Sequence, residues 1–520
     1  MNRRNFLQHT AAGLLPVFLG GYGARAYGQQ SPMLEALAKL ADLNDRVLVL
    51  VQLQGGNDGL NMVIPLDQMS QYNTLRANIA LPEAKVLKLN NNLTTGLHTS
   101  MTGLQSLYNE GKLSLVHSVS YPAPNFSHFR ASDIWFTGAN ANQTLTTGWA
   151  GRYLDQEYPG YPDKYPTADM PDPLAVQISY IASTALLGPV QSMAIAIQNP
   201  DTFAQLVGDK VSIDGGSTAN TPAGKQIAFI RQQQISSVQY AGQLKTAATK
   251  GKNLATYPSG NTLADQLKIV ARLIHGGLRT KVYYVSIGGF DTHANQVNTT
   301  DTTTGQHANL MKQVSDGIKS FMDDLKMLGI DDRVAGMTFS EFGRRAISNA
   351  SFGTDHGAAA PLFAFGNAVK RQVIGKNPDL KDLDNNNIKI QTDYRQVYAA
   401  FLSDFLGEKS TVVDSVLGKA FDKSLIFQQL ILANEPQPMD LRLFPNPAVD
   451  DVVLEADAFS AGVSAVNVAD ATGRRLSVPV SVLSPTGLGI SVRELPMGSY
   501  FVSVETLDKQ RLTARMLVAR

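Results

Sequence analysis

The sequence predicts an α/β fold, in which a mostly parallel sheet is flanked by helices, followed by a small C-terminal all-β sandwich. Three observations support this prediction. Val47–Leu53 is an apolar run interrupted only by Gln52, which is typical of a strand buried on both faces of a parallel sheet. Further strand patterns alternate with helical patterns as far as residue 434. Beyond residue 440, only short segments of alternating polarity follow.

The α/β region contains further strand and helix signals. Apolar residues recur at helical spacing over residues 263–274 and 310–325. Residues 393–406 predict a third helix, with Thr392 as its N-cap. Residues 138–261 are polar, and we expect loops and helices that cover one edge of the sheet. The other predicted strands are residues 113–119, 175–179, 193–197, 281–287, 333–339 and 362–365.

Composition and charge exclude several classes of protein. Of the 520 residues, 43% are hydrophobic and 17% are charged, which is typical of a folded globular protein. The net charge of +1 predicts no nucleic-acid partner and no binding to anionic membranes. The absence of cysteine excludes disulfides, thiolate catalysis and cysteine-ligated zinc. Histidine, aspartate and glutamate are therefore the available metal ligands.

Residues 1–28 resemble a twin-arginine export signal. Arg3 and Arg4 precede an apolar stretch over residues 11–20, and residues 24–26 (Ala-Arg-Ala) have the small-x-small pattern of a cleavage site. The apolar stretch is shorter than the ~20 residues that a helix needs to cross a bilayer. We therefore expect cleavage rather than anchoring, and no transmembrane segment in the mature protein.

The chain changes character after residue 434. Residues 435–440 have the proline-rich composition of a linker between an α/β domain, residues 29–434, and a C-terminal domain, residues 441–520. Within the C-terminal domain, the predicted strands are residues 452–454, 463–468, 488–492, 500–504 and 512–518.

Four motifs in the C-terminal domain resemble the type IX secretion C-terminal sorting domain. They are Phe-Pro-Asn-Pro-Ala at residues 444–448, Asp-Ala-Thr-Gly-Arg at 470–474, Leu-Pro-Met-Gly-Ser-Tyr at 495–500 and a basic end at 515–520. This resemblance implies an exported protein that passes through the periplasm and then reaches the cell surface or the extracellular medium. The implied partners are the export machinery and the type IX secretion machinery.

Acids and histidines follow the predicted strands, at the ends where ligands bind in open α/β sheets. Two glycines and then Asp58 follow the first strand, and two glycines precede Asp291 and His293 after residues 281–287. An Asp-x-His loop is able to direct both side chains to one cation. We therefore predict metal ligands at Asp291 and His293, and Asp58 lies at the same end of the sheet, where an acid is placed for chemistry.

Two later motifs add candidates. Glu341 is a third acid at the end of a strand. Asp355 and His356 form a compact ligand pair, although Asp355 also suits an ordinary turn. Arg344 and Arg345 each carry a planar fork that suits a phosphate or sulfate oxygen, and a surface ion pair is the simpler alternative for either.

Ser127 follows the strand at residues 113–119 and begins a predicted helix. A hydroxyl at this position lies in a positive field that stabilises an alkoxide or binds an anion. The simpler interpretation is that Ser127 is an N-cap. His128 is excluded as the base for Ser127 through this helix, because neighbouring helical residues do not face each other.

The order of the motifs resembles the alkaline phosphatase superfamily, which includes sulfatases, and more narrowly an exported family, domain of unknown function 1501. The motifs are Gly-Gly-Asn-Asp-Gly-Leu-Asn at residues 55–61, Ser-His-Phe at 127–129, Gly-Gly-Phe-Asp-Thr-His at 288–293 and Ser-Glu-Phe-Gly-Arg at 340–344. The resemblance covers residues 47–407. It implies an alkaline-phosphatase-like sheet with one or two divalent cations, zinc first, with manganese or calcium as alternatives.

The resemblance also implies a role for each candidate. Ser127 matches the nucleophile. Phe342 stands where the superfamily usually has a histidine, so one metal site is incomplete or uses Asp355 instead. The positions that match metal ligands are Asp58, Asp291, His293, Glu341 and His356.

The expected function is a secreted or cell-surface metal-dependent hydrolase of phosphate or sulfate esters, acting on a small-molecule or polymeric ester. Ser127 would attack the ester, and Arg344 or Arg345 would stabilise charge on the transferred group. The alternative is a non-catalytic surface binding protein on a degenerate scaffold of the same fold. Phe342 is the residue that favours this alternative.

Overall fold

The computed structural model describes residues 45–207, 221–427, 441–470, 474–507 and 511–519. The chain divides into two compact units, Met1–Gln429 and Leu430–Arg520. The predicted signal peptide, residues 1–28, and the predicted linker, residues 435–440, lie outside the described residues. Among the described helices, none is both long enough and apolar enough to cross a membrane.

The first unit is built on a mixed sheet of nine strands. The described strands of this unit are β1 (Val47–Leu53), β2 (Val63–Pro65), β3 (Leu87–Leu89), β4 (Asn92–Leu97), β5 (Leu113–Ser120), β6 (Ala175–Ile178), β7 (Ala194–Ile197), β8 (Val282–Ile287), β9 (Val334–Phe339), β10 (Gly343–Arg344), β11 (His356–Gly357), β12 (Ala360–Gly366), β13 (Gln372–Ile374) and β14 (Thr392–Asp393). The large sheet has the order β13-β5-β12-β9-β1-β8-β6-β7, with β14 beside β5. Strand β12 runs antiparallel to both of its neighbours, and the other pairs are parallel.

The central strand β1 explains why this sheet forms. All seven of its residues are buried, because β8 and β9 flank it and helices cover both faces. Gln52 is the single polar residue in the run, and its Oε1 accepts a hydrogen bond from the Tyr284 hydroxyl at 2.6 Å. A buried amide without such a partner would be costly. The polar interruption in β1 is therefore compatible with a buried strand.

Helices pack on both faces of the large sheet. One core contains Val49 with side chains of α8 and α9, and the other contains Leu50 with side chains of α4, α5 and α10. The described helices are α1 (Gly59–Met62), α2 (Met69–Leu75), α3 (Thr102–Asn109), α4 (His128–Thr137), α5 (Trp149–Glu157), α6 (Pro200–Val207), α7 (Pro222–Lys250), α8 (Thr262–His275), α9 (Gln306–Met327), α10 (Tyr394–Ala400) and α11 (Ser410–Leu417). A π-helical turn, Phe401–Phe405, continues α10, and short 3₁₀ turns occur at Leu66–Gln68, Glu83–Lys85, Thr184–Leu186 and Asp331–Arg333.

The structure corrects two details of the predicted elements. Residues 138–261 contain more than loops and helices, since the strands predicted at residues 175–179 and 193–197 form β6 and β7 and extend the sheet beyond β8. Thr392 is not the N-cap of α10, because it pairs with β5 in β14. Asp393 is the cap, and its side chain forms a capping box with Gln396.

The second unit consists of two four-stranded antiparallel sheets with a common apolar core. Its strands are β15 (Arg442–Phe444), β16 (Asp451–Glu455), β17 (Val463–Asp470), β18 (Arg475–Leu476), β19 (Val480–Ser484), β20 (Gly487–Ser491), β21 (Gly498–Thr506) and β22 (Arg511–Val518), and a 3₁₀ turn covers Asp457–Ala461. The sheets are β15-β16-β20-β19 and β18-β17-β21-β22. The predicted fold class, an α/β sheet followed by a small all-β sandwich, is confirmed.

Glu408, which follows the π-helical turn, has an unusual environment. Burial raises its pKa from 4.5 to about 7, and the charge and hydrogen bond of Glu157 act in the same direction, while Lys281 partly offsets them. The folded protein therefore keeps a proton that the unfolded chain loses above pH 4.5. Stability conferred by this proton declines as the pH rises from 4.5 to about 7.

We expect the substitution Glu408→Gln to remove this decline, because glutamine has no proton to release. The melting temperature of the variant relative to the unsubstituted protein should rise across pH 4.5 to 7 in calorimetric scans. Asp422→Asn, at an exposed carboxylate, is the control and should give a flat difference. If the difference in melting temperature between Glu408→Gln and the unsubstituted protein does not change with pH, this interpretation is contradicted.

Candidate metal centre

The carboxyl ends of four strands meet at one edge of the large sheet. Strands β1, β8 and β9 are parallel neighbours, and β5 points the same way because β12 is antiparallel to both β9 and β5. Gly55, with φ of 121°, lets the loop after β1 touch the loop after β8. A Cβ atom at Gly55 would lie 2.3 Å from the backbone nitrogen of Asp291. This edge therefore brings distant parts of the sequence into contact.

Three imidazoles and one carboxylate converge at this edge. The Nε2 atoms of His128, His293 and His356 lie 3.5, 3.3 and 3.5 Å from a carboxylate oxygen of Asp291. The Nε2 atoms of His293 and His356 are 2.9 Å apart. One ligand atom from each of His128, Asp291 and His356 lies within 4.8 Å of the other two. These four residues are called the His-Asp cluster below.

The other ring nitrogen of each histidine, Nδ1, lies within hydrogen-bond distance of an oxygen atom. The Nδ1 contacts are Glu341 Oε1 at 2.8 Å from His128, Asp355 Oδ1 at 3.3 Å from His293, and the Phe126 carbonyl at 2.7 Å from His356. A carbonyl and ionised carboxylates accept hydrogen bonds and cannot donate them, so Nδ1 carries the proton in each ring. The Nε2 lone pairs consequently point into the cluster. Carboxylates or carbonyls behind imidazoles are a common arrangement in metal sites.

The predicted ligands Glu341 and Asp355 therefore lie behind the imidazoles. Glu341 Oε1 also accepts a hydrogen bond from the Gly55 backbone nitrogen at 2.9 Å, and its side chain is 3% exposed. Burial would raise the pKa of Asp355, but its hydrogen bonds to Asn349 and His293 lower it. Both residues orient histidines, and the prediction that they bind the cation directly is not supported by this geometry.

The spacing of the His-Asp cluster suits a divalent cation. Two Nε2 lone pairs at 2.9 Å repel each other unless a cation or a proton lies between them. Zinc–nitrogen distances of about 2.0–2.1 Å in a tetrahedral site place neighbouring ligand atoms about 3.3 Å apart. Four separations in the cluster, 2.9 to 3.5 Å, bracket this value, and the ligand atoms of His128, Asp291 and His356 all lie within 4.8 Å of one another. Three imidazoles and a carboxylate also form a ligand set that zinc prefers.

Arg344 holds Asp291 in place. Its guanidinium, 0% exposed, donates from Nη2 to Asp291 Oδ1 at 2.5 Å. Its remaining bonds go to the backbone carbonyls of Gly55, Gly56, Phe290 and Thr354. Burial alone would raise the pKa of Asp291, but the hydrogen bond and charge of Arg344 lower it. Arg344 is therefore a buried support for Asp291, and a contact between it and a substrate oxygen stays a prediction.

Arg345 has a different environment. It is half-buried, and its Nε has no hydrogen-bond partner among the described residues. Its backbone nitrogen donates to the Asp355 carbonyl at 3.0 Å, and its positive charge contributes to lowering the pKa of Asp355. Of the two predicted arginines, Arg345 is the one whose side chain is partly accessible to solvent.

Asp58 lies outside the His-Asp cluster, contrary to the prediction. Its carboxylate is fully buried, and Oδ2 accepts hydrogen bonds from Arg76 Nη1 and Gln296 Nε2, both at 2.6 Å. Burial would raise the pKa of Asp58, but the charge of Arg76 lowers it. An acid after a glycine pair suits a metal ligand or an ion pair equally well, and this sequence signal does not separate the two.

Ser127 and Phe342 border the cluster. Ser127 is the exposed N-cap residue of α4, and its side chain makes no capping hydrogen bond. It stands between Phe126, whose carbonyl contacts His356, and His128. The Phe342 ring lies 4.8 Å from the ring of His128 and 4.5 Å from that of His356. Phe342 thus fills the space beside two imidazoles with an apolar side chain.

His128 was missed as a ligand by the sequence reasoning. Its place after β5, at the same edge as Asp291, was the available signal. Another histidine, His307, is buried outside the His-Asp cluster, with Nε2 2.9 Å from Asn57 Oδ1. Burial lowers the pKa of His307 to about 4, so it is neutral at physiological pH.

Comparisons with known families identify both regions of the chain. Residues 226–423 match a family described as protein of unknown function, DUF1501. The chain carries a DUF1501 region. Residues 442–519 match the secretion system C-terminal sorting domain. Both resemblances inferred from the sequence are confirmed, and the sorting domain indicates export to the cell surface or the extracellular space by the type IX machinery. The twin-arginine signal stays a prediction.

Solved structures with which this chain overlaps share low sequence identity with it. A sulfatase from Pseudoalteromonas sp. is 12% identical, with 67% of this chain and 69% of that chain covered and a TM-score of 0.30. The lipoteichoic acid synthase LtaP from Listeria monocytogenes is 10% identical, with 83% of this chain and 86% of that chain covered and a TM-score of 0.32. A protein in the alkaline phosphatase superfamily from Vibrio parahaemolyticus is 9% identical, with 90% of this chain and 82% of that chain covered and a TM-score of 0.33. At TM-scores below 0.5 these similarities carry no functional argument. No curated protein matches the chain.

Removing the carboxylates behind the imidazoles should weaken cation binding. We expect Glu341→Gln and Asp355→Asn each to lower zinc affinity about 10- to 100-fold, because a neutral amide oxygen replaces the charged acceptor and weakens the hydrogen bond that orients each histidine. Competition with a chromophoric chelator measures the affinity. Asp382→Asn is the control, since this exposed carboxylate pairs with Lys389 and should leave affinity unchanged. Unchanged affinity in both test variants would contradict the assignment.

Proposed function

We propose that this protein is a secreted or cell-surface metal-dependent hydrolase of phosphate or sulfate esters. The observation that carries the proposal is the convergence of three Nε2 atoms on the Asp291 carboxylate. A divalent cation held there would lower the pKa of a nearby hydroxyl or water and offset charge on an anionic ester. His128, Asp291, His293 and His356 are the residues that would hold it.

Ser127 is the proposed nucleophile. Its hydroxyl is exposed, makes no hydrogen bond among the described residues, and belongs to the residue between Phe126 and His128. The N-terminus of α4 adds a positive field that favours an alkoxide. In the proposed step, Ser127 Oγ forms a bond to the phosphorus or sulfur atom while the ester bond breaks and the alcohol leaves with a proton. Water then releases the phosphate or sulfate from the serine.

Arg345 is the proposed contact for a non-bridging ester oxygen. Its side chain is half-exposed, and it lies beside Asp355 at the border of the cluster. A planar guanidinium binds phosphate and sulfate oxygens with paired hydrogen bonds. Arg344 is too fully committed to backbone carbonyls to share this task.

A non-catalytic surface binding protein remains the second candidate, and Phe342 is the observation that favours it. An apolar ring packed against two imidazoles limits the space for a second cation and for water. Turnover separates the two candidates. The hydrolase should cleave an aryl phosphate or aryl sulfate when saturated with zinc or manganese, whereas the binding protein should bind the cation without turnover.

The substitution Ser127→Ala should abolish hydrolysis while leaving cation affinity unchanged. We expect a loss of at least about 10³-fold in kcat, because the covalent route depends on this oxygen. Release of the aryl alcohol measures the rate, and chelator competition measures the cation affinity. Ser410→Ala, at an exposed serine in the first turn of α11, is the control and should retain full activity. Full turnover by Ser127→Ala would rule out this nucleophile.

A further inference from the structure

Gln296, which follows the loop carrying Asp291 and His293, makes contacts that the proposed chemistry does not use. Its side chain is fully buried. Its Oε1 accepts hydrogen bonds from the Thr292 hydroxyl at 2.9 Å and the Thr354 hydroxyl at 3.0 Å. Both hydroxyls are also fully buried. Gln296 therefore joins the loop after β8 to the loop that precedes β11.

Each of these threonines is a chain neighbour of cluster residues. Thr292 lies between Asp291 and His293, and Thr354 precedes Asp355 and His356. The two threonines that Gln296 binds are consequently direct chain neighbours of residues that form or orient the cluster. The loops also share a backbone hydrogen bond, from the Thr354 nitrogen to the Thr292 carbonyl at 3.1 Å.

The orientation of the Gln296 amide is set by the Asp58 carboxylate. Gln296 Nε2 donates to Asp58 Oδ2 at 2.6 Å, so Oε1 must face the threonines. Asp58 is held in turn by Arg76, and both side chains are 0% exposed. Arg76 also donates to the carbonyls of Arg345 and Ala346, beyond the end of β9. The network thus spans the chain segments that follow three strands.

We propose that Gln296, oriented by the Asp58–Arg76 pair, is a positioning residue that sets the separation of the two loops carrying Asp291, His293 and His356. This inference rests on the cation centre of the proposed function and not on hydrolysis. Ligand atoms 2.9 to 3.5 Å apart must be placed to within about 0.5 Å for strong binding. The two threonine hydroxyls fix both loops to one amide oxygen.

Burial of the Asp58–Arg76 pair supports a positioning role rather than a contribution to stability. Desolvating two charges costs about as much as their attraction returns, so buried ion pairs contribute little net stability. One oxygen, Asp58 Oδ1, has no hydrogen-bond partner among the described residues, which adds to the cost. The role of the Asp58–Arg76 pair is therefore to orient Gln296 and residues 345–346.

Two substitutions at Thr354 test the proposal with little change in volume. Thr354→Val removes the hydroxyl, and Thr354→Ser keeps it. We expect Thr354→Val to lower zinc affinity about 10-fold, and Thr354→Ser to retain the affinity of the unsubstituted protein. Visible absorption of the cobalt-loaded full chain should shift for Thr354→Val only, because the ligand geometry changes. Thr280→Val is the matched control, since its buried hydroxyl donates to the Pro173 carbonyl at the opposite edge of the sheet.

Gln296→Met provides the second test, because methionine fills the space without either hydrogen bond. Folded Gln296→Met and Thr354→Val with unchanged zinc affinity and cobalt spectrum would overturn the proposal, even if both melt at lower temperature. Absence of cation binding by the unsubstituted protein would overturn it too. Cation binding that weakens as expected in these variants, without turnover of any ester by the unsubstituted protein, would support the positioning role and contradict the hydrolase.

Discussion

The guanidinium of Arg344 is the interaction on which the site depends. A buried guanidinium is stable only when its N–H groups are satisfied. Arg344 follows β9 in the sequence, and its N–H groups donate to backbone carbonyls in the segments after β1 and β8. Asp291 is its charged partner and is thereby fixed where three imidazoles reach it. The ends of three strands and the candidate metal centre are consequently held by one side chain.

Much of the fold follows from local patterns in the sequence. Val47–Leu53 and residues 334–339 are each apolar apart from one polar residue, and such strands are stable only between neighbours in a covered sheet. Their parallel order then places the segments after each strand together, which is why Asp291, His293 and His356 could be predicted as neighbours. The strands β15, β18 and β19 were missed because they are short or largely exposed, and exposed strands lack an alternating apolar signal.

The roles of individual site residues depended on contacts between distant segments. Asp58 and Asp291 each follow a buried strand and a pair of glycines. Asp58 nevertheless pairs with Arg76, the residue directly after α2, whereas Asp291 lies beside the histidines. Arg344 and Arg345 are adjacent, yet Arg344, the last residue of β10, is buried. Arg345, the residue after β10, is half-exposed. Sequence spacing predicts which residues approach the sheet edge. It does not predict which side chain each of them meets.

The balance of charge connects the cluster to the class of ligand proposed for it. Asp291, Glu341 and Asp355 bring three negative charges to the sheet edge, and Arg344 and Arg345 offset two of them. A histidine that binds the cation through Nε2 keeps its proton on Nδ1 and adds no charge. A divalent cation would change the local sum from one negative to one positive charge. The same ion that relieves repulsion among the ligand atoms would therefore make the edge attractive to an anionic ester, which links cation binding to the proposed substrate.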